Sequence, residues 1–360
     1  REGRKSIVKR VADGEGATGC MGQDTPLAVL SERPHPLFNY FKQLFAQVTN
    51  PPVDAIREEI IMGSDVMLGS EQNLLDESPE HARRLRLPLP VITAEELEQV
   101  REFDAPGIKA ATLETVFRAD QGAKGLEPAM EKLFNKADEA VRNGATVLIL
   151  SDRMVDDRHA AIPSLLAMAG LHHHFIRKGT RTRLSLVAET GEAREMHHFA
   201  VLIGYGANAV CPYLALETIE DEIRRGHYTP GLDAAAAKKN FIKASRKGLF
   251  KITSKMGIST IQSYCGAQIF EAVGLSDKFI EKYFTATPSR LGGIGIEEVA
   301  REALLRHERA YPHTQGGPVE LEEGGDYHWR RDGEYHQYNP ESIALLQHAV
   351  RSGDYKMFKR

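Results

Sequence analysis

Cysteine is scarce. The chain holds three, Cys20, Cys211 and Cys265, widely spaced and odd in number. They form no disulfide framework and no CxxC metal knuckle, and they read as reduced thiols in a cytoplasmic compartment. Long apolar runs are absent: no stretch approaches the roughly 20 residues of a membrane span, so no membrane partner is expected. The opening REGRKSIVKRVADGEG is charged but leads into no apolar core, so it does not read as a signal peptide. Neither sign of charge dominates. The formal net charge is −4, giving no strong pull toward nucleic acid. Nucleophile elbow, P-loop and ferredoxin-type cysteine series are missing as well. No methionine opens the chain, and the expectation is a piece of something longer.

What is present is a regular alternation. The 360 residues suffice for one large α/β domain or two smaller ones. Residues 1–34 are glycine-rich with little periodicity and read as an irregular lead-in. Leu37, Tyr40, Phe41, Leu44, Phe45 and Val48 follow i, i+3, i+4, i+7, i+8, i+11, which predicts an amphipathic helix. The helix stops at TNPP, because Pro51 cannot continue it and Asn50 is pushed out of helical space by the proline after it. Residues 62–92 are loop-rich. In TAEELEQVREF, Thr93 and Glu96 make a capping box. Then IKAATLETVF reads as strand, LEPAMEKLFNKADEAVRNG as helix and ATVLILS as buried strand. IPSLLAMAGLHHHFIRKG follows as helix, TRLSLVAET as strand, GEAREMHHFAVLIGYG as helix and ANAVCPY as a short strand. Such βαβ units predict an α/β fold with a parallel sheet, open or part of a barrel. The basic run AAAAKKNFIKASRKGLFKITSK reads as a helix with a solvated face.

Five histidines lie close together, His172, His173 and His174, then His197 and His198. Three adjacent residues fan around a helix and cannot share one metal. A helical metal site needs ligands at i and i+3 or i+4, and no two histidines here have that spacing. Glu195 and His198 make a Glu-x-x-His pair within a predicted helix, and no second predicted helix carries a matching one. His172 belongs beside the Leu165, Met168, Phe175, Ile176 stripe, semi-buried. His173 and His174 are expected to face solvent or another domain. His197 and His198 flank the Met196, Phe199, Ala200, Ile203 stripe. Structural packing is the expectation, with no metal bound, and general acid–base use is the alternative. GYGANA (204–209) and LGGIGIE (291–297) are incomplete as dinucleotide fingerprints. The first lacks the third glycine, and the second precedes a helix but follows no clear strand. SKMGIS (254–259) pairs a serine with a lysine, a common dipeptide.

Several blocks together resemble one family. DTPLAVLSERPHPLFNYFKQLFAQVTNPPVDAIREEI is similar to the central domain of the large, α-type chain of glutamate synthase. So are ESPEHARRL, LILSDR, IPSLLAMAGLHHHFIRKG, VAETGEAREMHHFAVLIGYGANAVCPYLALETI, SKMGISTIQSYCGAQIFEAVGL and RLGGIGIEEVA. The likeness runs from about residue 17 to the end. Gly19-Cys20-Met21-Gly22 replaces an expected Ser-Met-Gly, and Ala55 an expected proline.

The resemblance implies a multidomain enzyme that makes glutamate from glutamine and 2-oxoglutarate with reducing equivalents. It implies an incomplete or modified TIM-barrel-like central domain over 35–310. Residues 1–34 would lead in from a glutaminase domain, and 311–360 would lead on to an FMN-binding synthase domain. FMN and a 3Fe-4S cluster belong to the full chain by resemblance, and none is expected on this part, which carries no catalytic residue in this reading. The electron donor would be NADPH, NADH or ferredoxin, with an NADPH-dependent small subunit or ferredoxin as the partner. The resemblance also gives TNPP a role, with Thr49, Asn50 and Pro51 lining or gating a tunnel for ammonia. Two other readings compete: a free-standing α/β enzyme binding phosphate or flavin at a glycine loop, and an oligomerisation module.

Overall fold

Three strands are buried along their whole length, with polar residues mostly at their ends. The structure, a computed structural model, describes residues 2–14, 22–44, 52–54, 56–103, 105–228, 230–312, 321 and 323–360.

The first described residues of the lead-in are helical. Gly3–Lys9 forms a π-helix that runs into α1 (Arg10–Ala12). Its Val11 and Ala12 are buried, and Ala12 O accepts from Asn240 Nδ2 at 3.0 Å. The expected helix from Leu37 is not formed in the described residues. Leu37–Tyr40 makes a 3-10 turn, and β1 (Phe41–Gln43) follows as a strand. Apolar residues at 37, 38, 40 and 41 fit more than one period. Pairing with a strand more than 220 residues away decides between them, with Phe41 opposite Ala272 and Gln43 opposite Phe270. Phe41 then packs against Tyr205 and Phe284, at centroid distances of 5.3 and 4.8 Å. Phe45 and Val48 lie outside the described residues.

After α2 (Glu58–Ile61), β2 (Val66–Leu68) pairs antiparallel with β3 (Leu85–Leu87). Residues 90–92 then run parallel to a later strand: Val210 N donates to Pro90 O at 2.7 Å, and Ile92 N donates to Val210 O at 3.0 Å. From there α3 (Ala94–Glu102) begins on the capping box read from sequence. Thr93 Oγ1 accepts from Glu96 N, and Glu96 Oε2 accepts from Thr93 N.

The central sheet comprises β4 (Ala110–Glu114), β6 (Val147–Ser151), β8 (Ser185–Glu189) and β9 (Ala207–Cys211), in that order and all parallel. Every residue of the last three is buried, as a parallel sheet covered on both faces requires. The crossovers are α4 (Leu126–Arg142), α5 (Ser164–Arg177) and α6 (Met196–Gly204). β5 (Val116–Arg118) and β7 (His159–Ala161) make a small antiparallel pair beside the first of these connections. Neighbours in the sheet follow chain order without reversal. That is the winding of a barrel arc, since a doubly wound sheet reverses direction partway. The described residues contain four such strands and no closed barrel. α3 sets out at the β9 edge and packs against β4, so it lies across the sheet. Helices α4 and α5 approach closely: a Cβ on Gly170 would stand 2.7 Å from Met130 Cε.

Beyond β9 come α7 (Tyr213–Arg224), α8 (Ala234–Lys255) and α9 (Ile261–Tyr264). A second βαβ unit, β10 (Phe270–Leu275), α10 (Asp277–Tyr283) and β11 (Ser289–Ile294), completes a sheet ordered β1-β10-β11. The chain continues through α11 (Ile296–Ala310), α12 (Pro340–Ser352) and α13 (Tyr355–Phe358). Among the described residues no helix is long and apolar enough to cross a membrane.

The two outer segments meet. The Glu2 carboxylate accepts backbone N–H bonds from Gly325 (2.7 Å), Asp326 (2.6 Å), Tyr327 (3.2 Å) and His328 (3.2 Å). His35 pairs with Glu334 at 3.1 Å, and Asp24 with His336 at 2.8 Å.

Thr93→Ala removes one half of the α3 capping box. It should lower stability by about 1 kcal/mol, read as a shift of the urea midpoint, whereas Thr93→Ser should leave it nearly unchanged.

Candidate functional site

The histidines are the densest chemistry in the sequence. α5 is walled in on nearly every side, with eleven of its fourteen residues buried, so histidines that fan around it all meet protein. His172 Nδ1 accepts from Arg181 Nε at 2.9 Å. His173, expected to face outward, is only 4% exposed and bonds Gln268 Nε2 at 3.2 Å. His174 is half-buried, stacked on Phe134 and bonded to Asp138 Oδ1 at 3.0 Å. On α6, His197 Nε2 donates to Phe38 O at 3.1 Å. His198 stacks on Phe38 with 4.4 Å between centroids, and its Nδ1 accepts from Arg194 N. Burial pushes His172 down to about 3 and His173 to about 4, and it holds His198 well below the usual imidazole range. His172, His173 and His198 are neutral hydrogen-bonding wedges between core elements. Among the described residues no group of three or more His, Cys, Asp or Glu is placed to hold a metal.

The glycine loops also have structural work. Gly206 in GYGANA has φ +102°, and a Cβ there would collide with the His172 ring. Its carbonyl accepts from Arg181 Nη2 at 2.8 Å. LGGIGIE departs from expectation, because Gly292 and Gly293 lie within β11, a true strand ahead of α11. A Cβ on Gly293 would strike the Gly274 carbonyl of β10, so glycine allows the two strands to approach. The α11 N-terminus is already occupied by the chain's own carboxylate, with Gly295 N donating to Glu298 Oε2 at 2.9 Å. In SKMGIS the serine does not act with the lysine: Ser254 Oγ is 3.0 Å from Glu58 Oε1, and Lys255 is exposed.

In a barrel-type sheet, chemistry gathers at the C-terminal ends of the strands. Here those ends carry a network that the sequence reading did not single out. The Glu189 side chain, 1% exposed at the end of β8, is clasped by Arg101 (2.8 Å) and Arg153 (2.5 Å). Arg153 also pairs with Glu217 at 2.9 Å and lies over the Tyr213 ring. Asp152 accepts from Thr190 Oγ1 at 2.7 Å and from Gly191 N at 3.0 Å, and burial pushes its carboxyl up to about 6. Glu192 accepts from Ser164 N and Oγ and pairs with Arg306 at 3.1 Å. The mouth of the sheet is therefore filled by the protein's own ion pairs. One signal could have found it: a glutamate closing the apolar run LSLVAE.

The thiols are equally quiet. Cys211 and Cys265 are free, and burial pushes them up to about 12 and about 11. Neither suits thiolate ligation. Cys20 lies outside the described residues, as do Thr49, Asn50, Pro51 and Ala55. The described residues flanking TNPP are anchored. Leu44 N donates to Ile269 O at 3.1 Å, and the Pro52 ring sits beside Gly257. Gly63 N donates to Ser259 O at 2.8 Å, and Ile261 N to Gly63 O at 3.0 Å. The segment after TNPP thus lies on the SKMGIST segment, some 200 residues away in sequence.

Residues 1–276 match the family model described as glutamate synthase central domain. The chain is 46% identical over 357 residues to the glutamate synthase [NADPH] large chain of Bacillus subtilis, covering 99% of this chain and 23% of that protein. It is 43% identical to the glutamate synthase [NADH] of Schizosaccharomyces pombe, covering 96% of this chain and 17% of that one. It is also 43% identical to the chloroplastic ferredoxin-dependent glutamate synthase of Spinacia oleracea, covering 96% and 22%. The chain spans less than a quarter of the length of each.

Glu189→Ala would leave Arg101 and Arg153 without their shared buried partner. It should cost about 3 kcal/mol, read from urea unfolding. An unchanged midpoint would mean that the network is solvent-screened. A histidine whose folded pKa lies below its unfolded value contributes stability that is full above about pH 6.5 and is lost as pH falls toward the folded value. For His173 the loss by pH 5 is on the order of 2 kcal/mol. NMR of the imidazole nitrogens should show His172 and His173 still neutral at pH 5, and stability should fall between pH 7 and pH 5.

Proposed function

The chain belongs to the glutamate synthase family, as the central domain of the large chain, and on that premise we propose that it serves as the scaffold of a multidomain enzyme. That enzyme converts glutamine, 2-oxoglutarate and reductant into two glutamates, assimilating ammonia. The observation that carries the scaffold role is the filled mouth of the parallel sheet, where Glu189 is gripped by Arg101 and Arg153. A barrel arc whose C-terminal end is closed by internal ion pairs holds neighbours in place and leaves chemistry to them.

In this reading the FMN and the 3Fe-4S cluster belong to parts of the large chain outside residues 1–360. Buried, protonated thiols and a closed strand mouth do not suit either group here. The electrons come from NADPH, NADH or ferredoxin, with an NADPH-dependent small subunit or ferredoxin as the partner, in a cytoplasmic compartment that suits free thiols. Residues 1–34 lead in from the glutaminase domain, 35–310 form the central domain, and 311–360 lead on to the FMN-binding domain. The bonds from Glu2, Asp24 and His35 to residues 325–336 support the idea that both neighbours attach at one side of the scaffold.

Thr49, Asn50 and Pro51 line or gate the ammonia route between the two active sites. The convergence of residues 52–63 with residues 254–261 supports this role, because it fixes the chain on one side of the bend to a second segment. Prolines that donate no backbone hydrogen bond stiffen such a bend and leave neighbouring carbonyls open to a small polar molecule. In the full-length enzyme Thr49→Trp should keep glutamine hydrolysis. It should cut by at least half the 2-oxoglutarate consumed per glutamine hydrolysed, with ammonia appearing in solution. Thr49→Ser should keep full coupling. Unchanged coupling in the Trp variant would remove the tunnel role.

A further inference from the structure

Opposite the ion-pair network, at the N-terminal ends of β8 and β9, lies a cleft of about 190 Å³. It is formed by residues that no single motif unites: Arg84, Arg181, Glu71, His172, Asn208 and Gln262 line it. Gln262 and Glu71 are exposed at its rim, so it opens to the surface.

Its charge is unbalanced. The lining carries two guanidiniums and a single carboxylate. Arg181 is held by neutral acceptors: Nε by His172 Nδ1 (2.9 Å), Nη1 by Leu184 O (2.8 Å) and Nη2 by Gly206 O (2.8 Å). Those three bonds fix the guanidinium plane and leave two of its five N–H donors over. Arg84 Nη2 donates to Met67 O at 3.0 Å, while Arg84 Nε is buried with no hydrogen-bond partner. The one carboxylate, Glu71, is 44% exposed and stands 3.7 Å from Arg84. His172 uses Nδ1 as an acceptor and is neutral, and the Cys265 thiol is protonated, so neither changes the balance. Half-buried guanidiniums that share one distant, half-exposed carboxylate are poorly compensated, and their planar forks match the oxygens of an oxyanion. At about 30 Å³ per water, the volume equals roughly six waters, room for a small anion and too little for a nucleotide or flavin.

We propose that the cleft between Arg84 and Arg181 binds a small oxyanion, of the inorganic phosphate or short carboxylate type. The site is separate from the strand ends that face the ion-pair network. It clamps residues 67–71 onto the start of β8, where Gly69 N already donates to Ser185 Oγ at 3.0 Å.

Hydrogen exchange of the full-length large chain tests this, with inorganic phosphate and malonate as separate probes and chloride at matched ionic strength as control. Backbone amides in 67–71 and 181–186 should exchange more slowly by a factor of about 1 + [L]/Kd, roughly tenfold at ten times Kd. Protection by phosphate alone assigns the inorganic class, and protection by malonate alone the carboxylate class. Arg84→Gln should abolish the effect, while Glu71→Gln, which removes the competing carboxylate and keeps both arginines, should strengthen it. Equal exchange with and without both probes, equal protection by chloride, or protection retained in Arg84→Gln would overturn the assignment.

Discussion

A parallel sheet must be covered on both faces, and four strands cannot close on themselves to do it. The strands β6, β8 and β9 are buried at every residue, so the chain has to supply two different covers. The crossover helices α4, α5 and α6 cover one face, as in any βα arc. The segment that runs from residue 62 through α3 packs against β9 and β4 and helps to enclose the sheet. Much else follows from this need. α5 has to be apolar nearly all round, Gly170 has to admit Met130, and His172, His173 and His198 have to be neutral because protein surrounds their rings.

Closing the arc in this way also fixes where charge can go. Polar groups that cannot sit in the sheet collect at its two ends. At the C-terminal end acid and base balance, with Glu189 between two arginines and Asp152 on hydroxyl and backbone donors. At the N-terminal end they do not, with Arg84 and Arg181 facing one half-exposed carboxylate. The same architecture thus produces a sealed end and an open one.

Much of this was legible in the sequence. ATVLILS is a continuous apolar run, TRLSLVAET and ANAVC are short strand-like segments between helical periods, and they became β6, β8 and β9. Thr93 and Glu96 capped α3 as their spacing requires. The misread elements share a cause. Phe41 alternates with Lys42 as well as following Leu37 at helical spacing, and only the distant Phe270–Ala272 strand decides for β1. His173 was expected outside because a fan of side chains on an isolated helix must reach solvent somewhere, yet neighbouring elements wall α5 in. The ion-pair network and the arginine cleft were invisible for another reason: Arg101, Arg153, Glu189 and Glu217 lie on separate elements, as do Arg84 and Arg181. No short window of sequence contains either constellation.

The grip on Glu2 has a consequence of its own. All four of its donors are main-chain N–H groups of residues 325–328. Side-chain identity at Asp326, Tyr327 and His328 is therefore irrelevant to the grip, and of the standard residues only proline would delete a donor outright. This contact between the two outer segments can persist through wide sequence drift on one side. On the other side, a single carboxylate carries all of the specificity.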